Sequence, residues 1–195
     1  MTSIANNLPP LKGLILSGGK SSRMGKNKAL LSYHGIPQLA YLTDLLKPFC
    51  DQAFVSAKHK THYPSYPVIE DNYRIDSPLN GILSSISTYP KNGWIVVACD
   101  MPLINEKSIQ YLIDHRAVDK LATCYINEEG MIEPLFSIWE PHSYESLLKF
   151  QNNGGMSPRK FLAANNVNLV KPLDYNVLMN VNSLEDFEKY NRPMK

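Results

Sequence analysis

The chain has 195 residues, 44% of them hydrophobic, and a formal net charge of only +2. This length can bury one substantial core, so we expect a single domain over residues 1–195, with residues 1–10 as a loose tail. The small charge argues against generic nucleic-acid binding, and the longest apolar run, residues 94–99, is far shorter than the ~18 residues of a membrane helix.

Strand-like segments alternate along the chain with segments of helical spacing. Strands are predicted at residues 11–17, 52–57, 67–70, 94–99, 121–126, 133–139 and 177–181. Helices are predicted at residues 37–47 and 81–87, after a cap at Asn105, and at residues 143–150 and 158–164. This alternation predicts an α/β fold in which helices cover both faces of a mainly parallel sheet, with the unbroken apolar strand 94–99 at its centre. Ligands of such sheets bind beyond the carboxyl ends of the strands.

The loop that follows the first strand is rich in glycine and in cations. Residues 1–43 contain five cations and no acid, so this segment carries +5 and the remainder carries −3. The glycines of the loop let an anion approach the main chain, and its cations supply charge: Gly18, Gly19, Gly25, Lys20, Arg23, Lys26 and Lys28. The pattern favours a nucleoside triphosphate over the alternative of a solvated turn with ordinary surface lysines. It is not a Walker A motif, because five residues separate Gly19 from Gly25 and Asn27 follows Lys26.

Asp100 ends the most hydrophobic strand, where it would emerge into the ligand crevice. A carboxylate at such a place is costly unless it binds a cation, and Mg²⁺ typically takes one or two carboxylates with phosphate oxygens and waters. We therefore predict that Asp100 is a magnesium ligand. The alternative is that Asp100 caps the following turn.

A third candidate element is the segment NVNSLEDF, residues 180–187. Asn180 and Asn182 stand two apart, so in extended conformation both would project to the same side and could contact a metal, a phosphate or an acceptor. Residues 182 and 183 could equally serve as plain helix caps.

Together these elements resemble a known family. The loop at residues 16–28, LSGGKSSRMGKNK, resembles the signature of the molybdenum cofactor guanylyltransferases, which belong to the MobA-like NTP transferases. Asp71, the PLNG segment at residues 78–81, the VVACDMP segment at residues 96–102 and NVNSLEDF recur in the family's order, so the resemblance covers nearly the whole chain.

The resemblance implies a Rossmann-like, three-layer αβα nucleotidyltransferase fold. It also implies that GMP is transferred from GTP to the phosphate of molybdenum-bearing molybdopterin, with Mg²⁺ as cofactor and pyrophosphate as the second product. Implied nucleotide contacts are Leu16, Ser17, Gly18, Gly19, Lys28, Asp71 and Asp100. Lys28, Arg23 and Asp100 would be catalytic, Asp71 would help to read guanine, and Asp100 would bind the metal. Relatives that use CTP tend to carry Ala-Ala-Gly where this chain has Ser-Gly-Gly, which favours GTP.

Two positions depart from the family pattern. Ser77 stands where the family commonly has glycine, and Lys58 stands where relatives often have asparagine. Residues 154–160 could close over the acceptor or form a plain helix entry. The alternatives for function are a cytidylyltransferase, a nucleotidyltransferase for a sugar or alcohol phosphate, and a GTP-binding regulatory protein without turnover.

The three cysteines are an odd number and lack C-x-x-C spacing, which indicates reduced thiols. We therefore expect a cytoplasmic protein. Its expected partners are GTP, a molybdopterin-type acceptor, and, transiently, proteins that insert or accept the finished cofactor. Neither nucleic acid nor a membrane is expected as a partner.

Overall fold

The computed structural model describes residues 8–17, 28–181 and 186, with only the backbone of Lys28. Within these ranges seven strands form one sheet in the order β3-β2-β1-β4-β6-β5-β7. The strands are β1 (Leu11–Leu16), β2 (Ala53–Ala57), β3 (Val68–Glu70), β4 (Gly93–Ala98), β5 (Ala122–Ile126), β6 (Ile132–Trp139) and β7 (Asn168–Val170). Only β6 runs antiparallel to its neighbours β4 and β5, so the predicted mainly parallel sheet with β4 at its centre is confirmed.

Helices cover both faces of this sheet. They are α1 (Gln38–Leu46), α2 (Leu79–Thr88), α3 (Glu106–Asp114), α4 (Ser143–Asn152) and α5 (Pro158–Ala163). Helices α1 and α3 share a core with Ile15 and Val97, whereas α2, α4 and α5 share another with Leu14 and Val96. Because neighbouring residues of a strand point to opposite faces, β1 and β4 supply both cores, and the three-layer αβα fold is confirmed.

The strand predicted at residues 177–181 is wrong. Residues 175–178 form a 3-10 helix, Tyr175–Leu178, and the side chain of Asp174 caps it by accepting from the Asn176 amide at 2.9 Å. Val177 and Leu178 are both buried. Their apolar character is therefore explained by burial from a 3-10 helix and not by pairing in the sheet. The last place in the sheet belongs instead to β7, a strand of three residues that the sequence pattern did not reveal.

The chain just before β1 is held at the amino edge of the sheet. The Pro10 carbonyl accepts hydrogen bonds from the Gly93 amide at 3.0 Å and from the Asn92 side chain at 3.1 Å. The Pro9 carbonyl accepts from Arg116 at 2.9 Å. None of the helices in the described ranges combines the length and the apolar character needed to cross a bilayer.

Candidate functional site

The carboxyl ends of β1, β2, β3 and β4 meet at one edge of the sheet. Leu16 is in register with Ser56 of β2 and with Ala98 of β4, and its carbonyl accepts from the Cys99 amide at 3.2 Å. The Asp71 amide donates to the carbonyl of Ala57 at 3.0 Å, which holds Asp71 directly beyond β3. Four residues predicted for the site therefore lie at this edge: Leu16, Ser17, Asp71 and Asp100.

Ser17, Ser56 and Asp71 form a hydrogen-bonded chain across the ends of three strands. The Ser17 hydroxyl donates to the Ser56 carbonyl at 2.7 Å, and the Ser56 hydroxyl donates to Asp71 Oδ1 at 2.9 Å. Burial raises the pKa of Asp71, while the Ser56 hydrogen bond and the charge of Lys58 oppose this rise. The sequence analysis selected Ser17 and Asp71 but not Ser56, because Ser56 carried no signal beyond its place in a strand.

The backbone that follows Asp100 is held by side chains from the segment after the glycine-rich loop. The Pro102 carbonyl accepts from His34 Nε2 at 2.8 Å. The Met101 carbonyl accepts from Gln38 Nε2 at 3.4 Å, and the Ile104 carbonyl accepts from the Tyr41 hydroxyl at 3.0 Å. The rings of His34 and Tyr41 also stack, with their centroids 3.8 Å apart. These contacts restrain the turn that carries Asp100.

The start of the segment NVNSLEDF, at residues 180–181, also lies beside Asp100. The Val181 amide donates to the Asp100 carbonyl at 2.7 Å, so the chain near residue 180 lies beside the end of β4. The Asn180 side chain donates to the Leu178 carbonyl at 3.2 Å and thus supports its own segment. Asn180 therefore lies near Asp100, and its side chain binds the backbone of its own segment.

Some predicted site residues lie outside the described residues. These are Gly18, Gly19, Lys20, Arg23, Gly25, Lys26 and Asn182, together with the side chain of Lys28. The backbone of Lys28 begins a 3-10 helix, Lys28–Leu30. Its neighbour Ala29 is fully buried in the core cluster that also contains Cys99 and Met101.

Glu133 and Arg159 lie at the same edge, and the sequence analysis did not select either residue for the site. Val97 pairs with Phe136 in antiparallel register, so the start of β6 lies beside the end of β4. Glu133 is 9% exposed; its Oε1 accepts from the Leu135 amide at 2.9 Å, and its Oε2 lies 3.8 Å from Arg159 Nη2. Burial raises the pKa of Glu133, and the charge of Asp100 adds to this rise while Arg159 opposes it. The two carboxylates therefore interact electrostatically.

The departure at Ser77 has a structural role in this chain. Its hydroxyl donates to the Met156 carbonyl at 2.7 Å and accepts from the Leu79 amide at 3.2 Å, so it joins the start of α2 to the loop before α5. Ser157 caps α5 by accepting from the Lys160 amide at 3.3 Å, so residues 154–160 include the entry to this helix. Lys58, the other departure, lies 3.7 Å from Asp76 in an exposed ion pair.

The substitution Asp71→Asn is expected to stabilise the fold at pH 7. Because burial raises the pKa of Asp71 in the folded state, folding disfavours its charged form. Below the unfolded pKa of about 3.9 the carboxyl is neutral in both states, and the wild type loses relative stability as the pH rises through the higher folded pKa. Urea unfolding should therefore show the variant more stable at pH 7 but not at about pH 3. An equal gain at both pH values would contradict this account.

The chain is similar in sequence to known proteins. The chain matches the MobA-like NTP transferase domain over residues 13–169. It is 38% identical over 187 residues to the molybdenum cofactor biosynthesis bifunctional protein of Synechocystis, covering 93% of this chain but only 54% of that protein, so it spans about half of that relative. It is 31% identical over 160 residues to the molybdenum cofactor guanylyltransferase of Pseudomonas paraeruginosa, covering 80% of this chain and 81% of the relative.

A solved structure shares the fold. The crystal structure of molybdopterin-guanine dinucleotide biosynthesis protein A from Archaeoglobus fulgidus superposes with a TM-score of 0.77 at 17% identity and covers 92% of this chain and 96% of its own. At this identity the likeness concerns the fold alone. The domain match spans most of the sequence, from within β1 to within β7, and contains the Asp100 turn. The chain therefore belongs to the MobA-like NTP transferase domain family and is a nucleotidyltransferase.

Proposed function

We propose that this protein transfers GMP from GTP to the terminal phosphate of a molybdenum-bearing molybdopterin, forming the guanine dinucleotide cofactor and pyrophosphate. The observation that carries the proposal is the convergence of Ser17, Asp71 and Asp100 on one sheet edge in a chain of this family. The relatives of this chain include molybdenum cofactor guanylyltransferases, which supports the choice of GTP and of the acceptor.

Asp100 fits the requirements of a magnesium ligand. It is half-buried at the end of β4, and its turn is held by contacts from two separate segments. Throughout the described ranges, no three His, Cys, Asp or Glu side chains gather into a metal site. A magnesium ion that also binds phosphates needs only one or two protein carboxylates, so Asp100 suffices. When bound, Mg²⁺ would neutralise charge on the triphosphate and the pyrophosphate leaving group.

The remaining roles follow from charge and position. Asp71 accepts hydrogen bonds from the guanine edge, with Leu16, Ser17, Gly18 and Gly19 beside the nucleotide. Lys28 and Arg23 contact the phosphates and stabilise the negative charge that develops on the leaving group. The acceptor phosphate attacks the α-phosphorus in line. A phosphate monoester is largely ionised at neutral pH, so the protein needs no general base.

Pyrophosphate release tests this function against its alternatives. Protein and Mg²⁺ are mixed with GTP, CTP or ATP, each with molybdenum-loaded molybdopterin, a sugar phosphate or no acceptor. We expect a signal from GTP with molybdopterin and much less from CTP. A stronger signal from CTP or from a sugar phosphate would replace the proposal with one of the other transferase functions. GTP binding without turnover on any acceptor would favour a regulatory protein.

The substitution Lys28→Ala is expected to lower kcat/KM for GTP by roughly 10- to 100-fold, because a charged contact to the phosphates is lost. The measurement is steady-state pyrophosphate release. The control is Lys149→Ala, which removes an exposed lysine from the last turn of α4. Equal kinetics for the Lys28 variant and the control would exclude Lys28 from the site.

The reaction is proposed to take place in the cytoplasm, followed by transient contact with proteins that take up the finished cofactor. All three cysteines are free thiols, which agrees with a reducing compartment.

A further inference from the structure

We propose that Ser56 is a positioning residue for guanine recognition and acts through Asp71. This inference rests on the proposed function, since it assumes that Asp71 faces the base of bound GTP. Ser56 is 5% exposed on β2, and its hydroxyl donates to Asp71 Oδ1 at 2.9 Å. A hydroxyl in this position fixes the rotation of the carboxylate before any ligand arrives.

The second oxygen of Asp71 is left for a ligand. Oδ2 makes no hydrogen bond with any residue in the described part of the chain, whereas Oδ1 is held by Ser56. Guanine presents two adjacent donors, N1–H and the 2-amino group, which one carboxylate can accept together. Inosine lacks the 2-amino group, and adenine presents an acceptor at N1. A carboxylate held in one plane therefore discriminates among these bases better than a rotating one.

Ser56 is itself held by the structure around it. Its carbonyl accepts from the Ser17 hydroxyl at 2.7 Å, and the residue is in register with Leu16 and Ile69 on the neighbouring strands. On the helix side it faces Gly81. A Cβ at position 81 would overlap Ser56 Oγ and lie 2.8 Å from Ser56 Cβ, so the missing side chain of Gly81 leaves room for the hydroxyl.

The hydroxyl also offsets the effect of burial on Asp71. Burial raises the pKa of this carboxyl, while Ser56 and Lys58 oppose the rise. Lys58 is itself paired with Asp76, and Glu70 at the end of β3 is paired with Lys60. Helix α2 contributes no titratable side chain. Without the Ser56 hydroxyl, Asp71 would stay protonated to a higher pH and would lose an acceptor for the base.

The test compares binding of GTP and of ITP to the wild type and to Ser56→Ala, each with Mg²⁺ and without acceptor. We expect the variant to lose about three- to tenfold in GTP affinity, with a much smaller loss for ITP. The pH below which GTP affinity falls should also move upward. Ser56→Cys, which keeps most of the volume but donates weakly, should behave like Ser56→Ala. Urea unfolding of each variant confirms that the protein remains folded.

A double-mutant cycle distinguishes positioning from a general packing effect. In an Asp71→Asn background, Ser56→Ala should leave the GTP-to-ITP ratio unchanged, because the group through which it acts has been replaced. Ser85→Ala is the matched control, since Ser85 is fully buried on α2 and its hydroxyl donates to the Ile82 carbonyl of its own helix at 2.8 Å. This control should retain the wild-type ratio.

Two outcomes would overturn the inference, and they can be told apart. If the wild type prefers GTP to ITP but Ser56→Ala retains both the ratio and the pH profile, the role of Ser56 is wrong and the proposed function stands. If the wild type shows no preference for GTP over ITP, the proposed recognition of guanine by Asp71 is wrong, and so is the role of Ser56.

Discussion

Replacing Asp100 by asparagine is expected to lower kcat by roughly a thousandfold while leaving the protein folded. An amide of the same size keeps the packing of the turn but removes the charge that would hold Mg²⁺ beside the triphosphate. The loss of such charge stabilisation costs several kcal/mol in the transition state. The turn itself should persist, because its hydrogen bonds to His34, Tyr41 and Val181 involve backbone carbonyls and not the carboxylate.

The control for this prediction is Asp119→Asn, which removes an acid with 75% side-chain exposure. Pyrophosphate release is followed over a Mg²⁺ titration, and Mn²⁺ binding in the presence of GTP is measured separately by electron paramagnetic resonance. The Asp100 variant should lose both turnover and bound Mn²⁺, whereas the control should keep both. Wild-type turnover in the Asp100 variant would remove this residue from the metal site.

The second large effect is expected at the opposite edge of the sheet. Arg116 forms a bidentate pair with Glu140, with distances of 2.6 Å from Nε to Oε1 and 2.8 Å from Nη2 to Oε2. The two side chains are only 6% and 0% exposed, and Arg116 also donates to the Pro9 carbonyl at 2.9 Å. We expect Arg116→Met to lower the free energy of unfolding by about 3–5 kcal/mol, because it leaves a buried carboxylate without its partner.

Urea unfolding measures this effect. The double variant Arg116→Met with Glu140→Met should recover part of the loss, since no unpaired charge remains. The control is Lys47→Ala, which breaks an ion pair whose members are 68% and 62% exposed and should cost about 1 kcal/mol or less. A similar loss in both single variants would show that burial does not govern the strength of the Arg116 pair. At low temperature the folded Arg116 variant should keep its kcat, because this pair lies at the amino edge of the sheet, away from Asp71 and Asp100.

The two ends of the sheet's strands carry acids with different expected roles. At the carboxyl edge we expect Asp100 to bind a ligand, so that its replacement would affect chemistry. At the amino edge both oxygens of Glu140 accept from Arg116, and we expect removal of the arginine to affect stability.

Most of the regular elements could be predicted from local patterns. The unbroken apolar run of β4 indicated a strand buried on both faces, and all of its residues are buried. Asn105 was predicted as a helix cap, and its side chain accepts from the Ser108 amide at 3.0 Å at the start of α3. Local patterns suffice in these cases because strand burial and helix capping depend on residues close together in the chain.

The same reasoning failed near the carboxyl terminus. The apolar residues Val177 and Leu178 were consistent with a strand, but Asp174 caps a 3-10 helix there and both apolar side chains enter the core from the turn. β7 was missed because three residues carry too little periodicity for a prediction. Whether such a short segment forms a strand depends on whether it lies beside a strand with unpaired backbone groups, as β7 lies beside β5.

The sequence by itself indicated most of the helices and strands, the central strand, the cation-rich loop and the acid Asp100, because these follow from patterns within short windows. Asp71 was selected only through the resemblance to a known family. Only the tertiary structure decided which side chains support those acids. Ser56 lies 15 residues from Asp71, and His34 lies 68 residues from Pro102. Glu133 reaches the site only because β6 runs antiparallel beside β4. Such contacts depend on strand register and on the packing of distant segments, which no local pattern encodes.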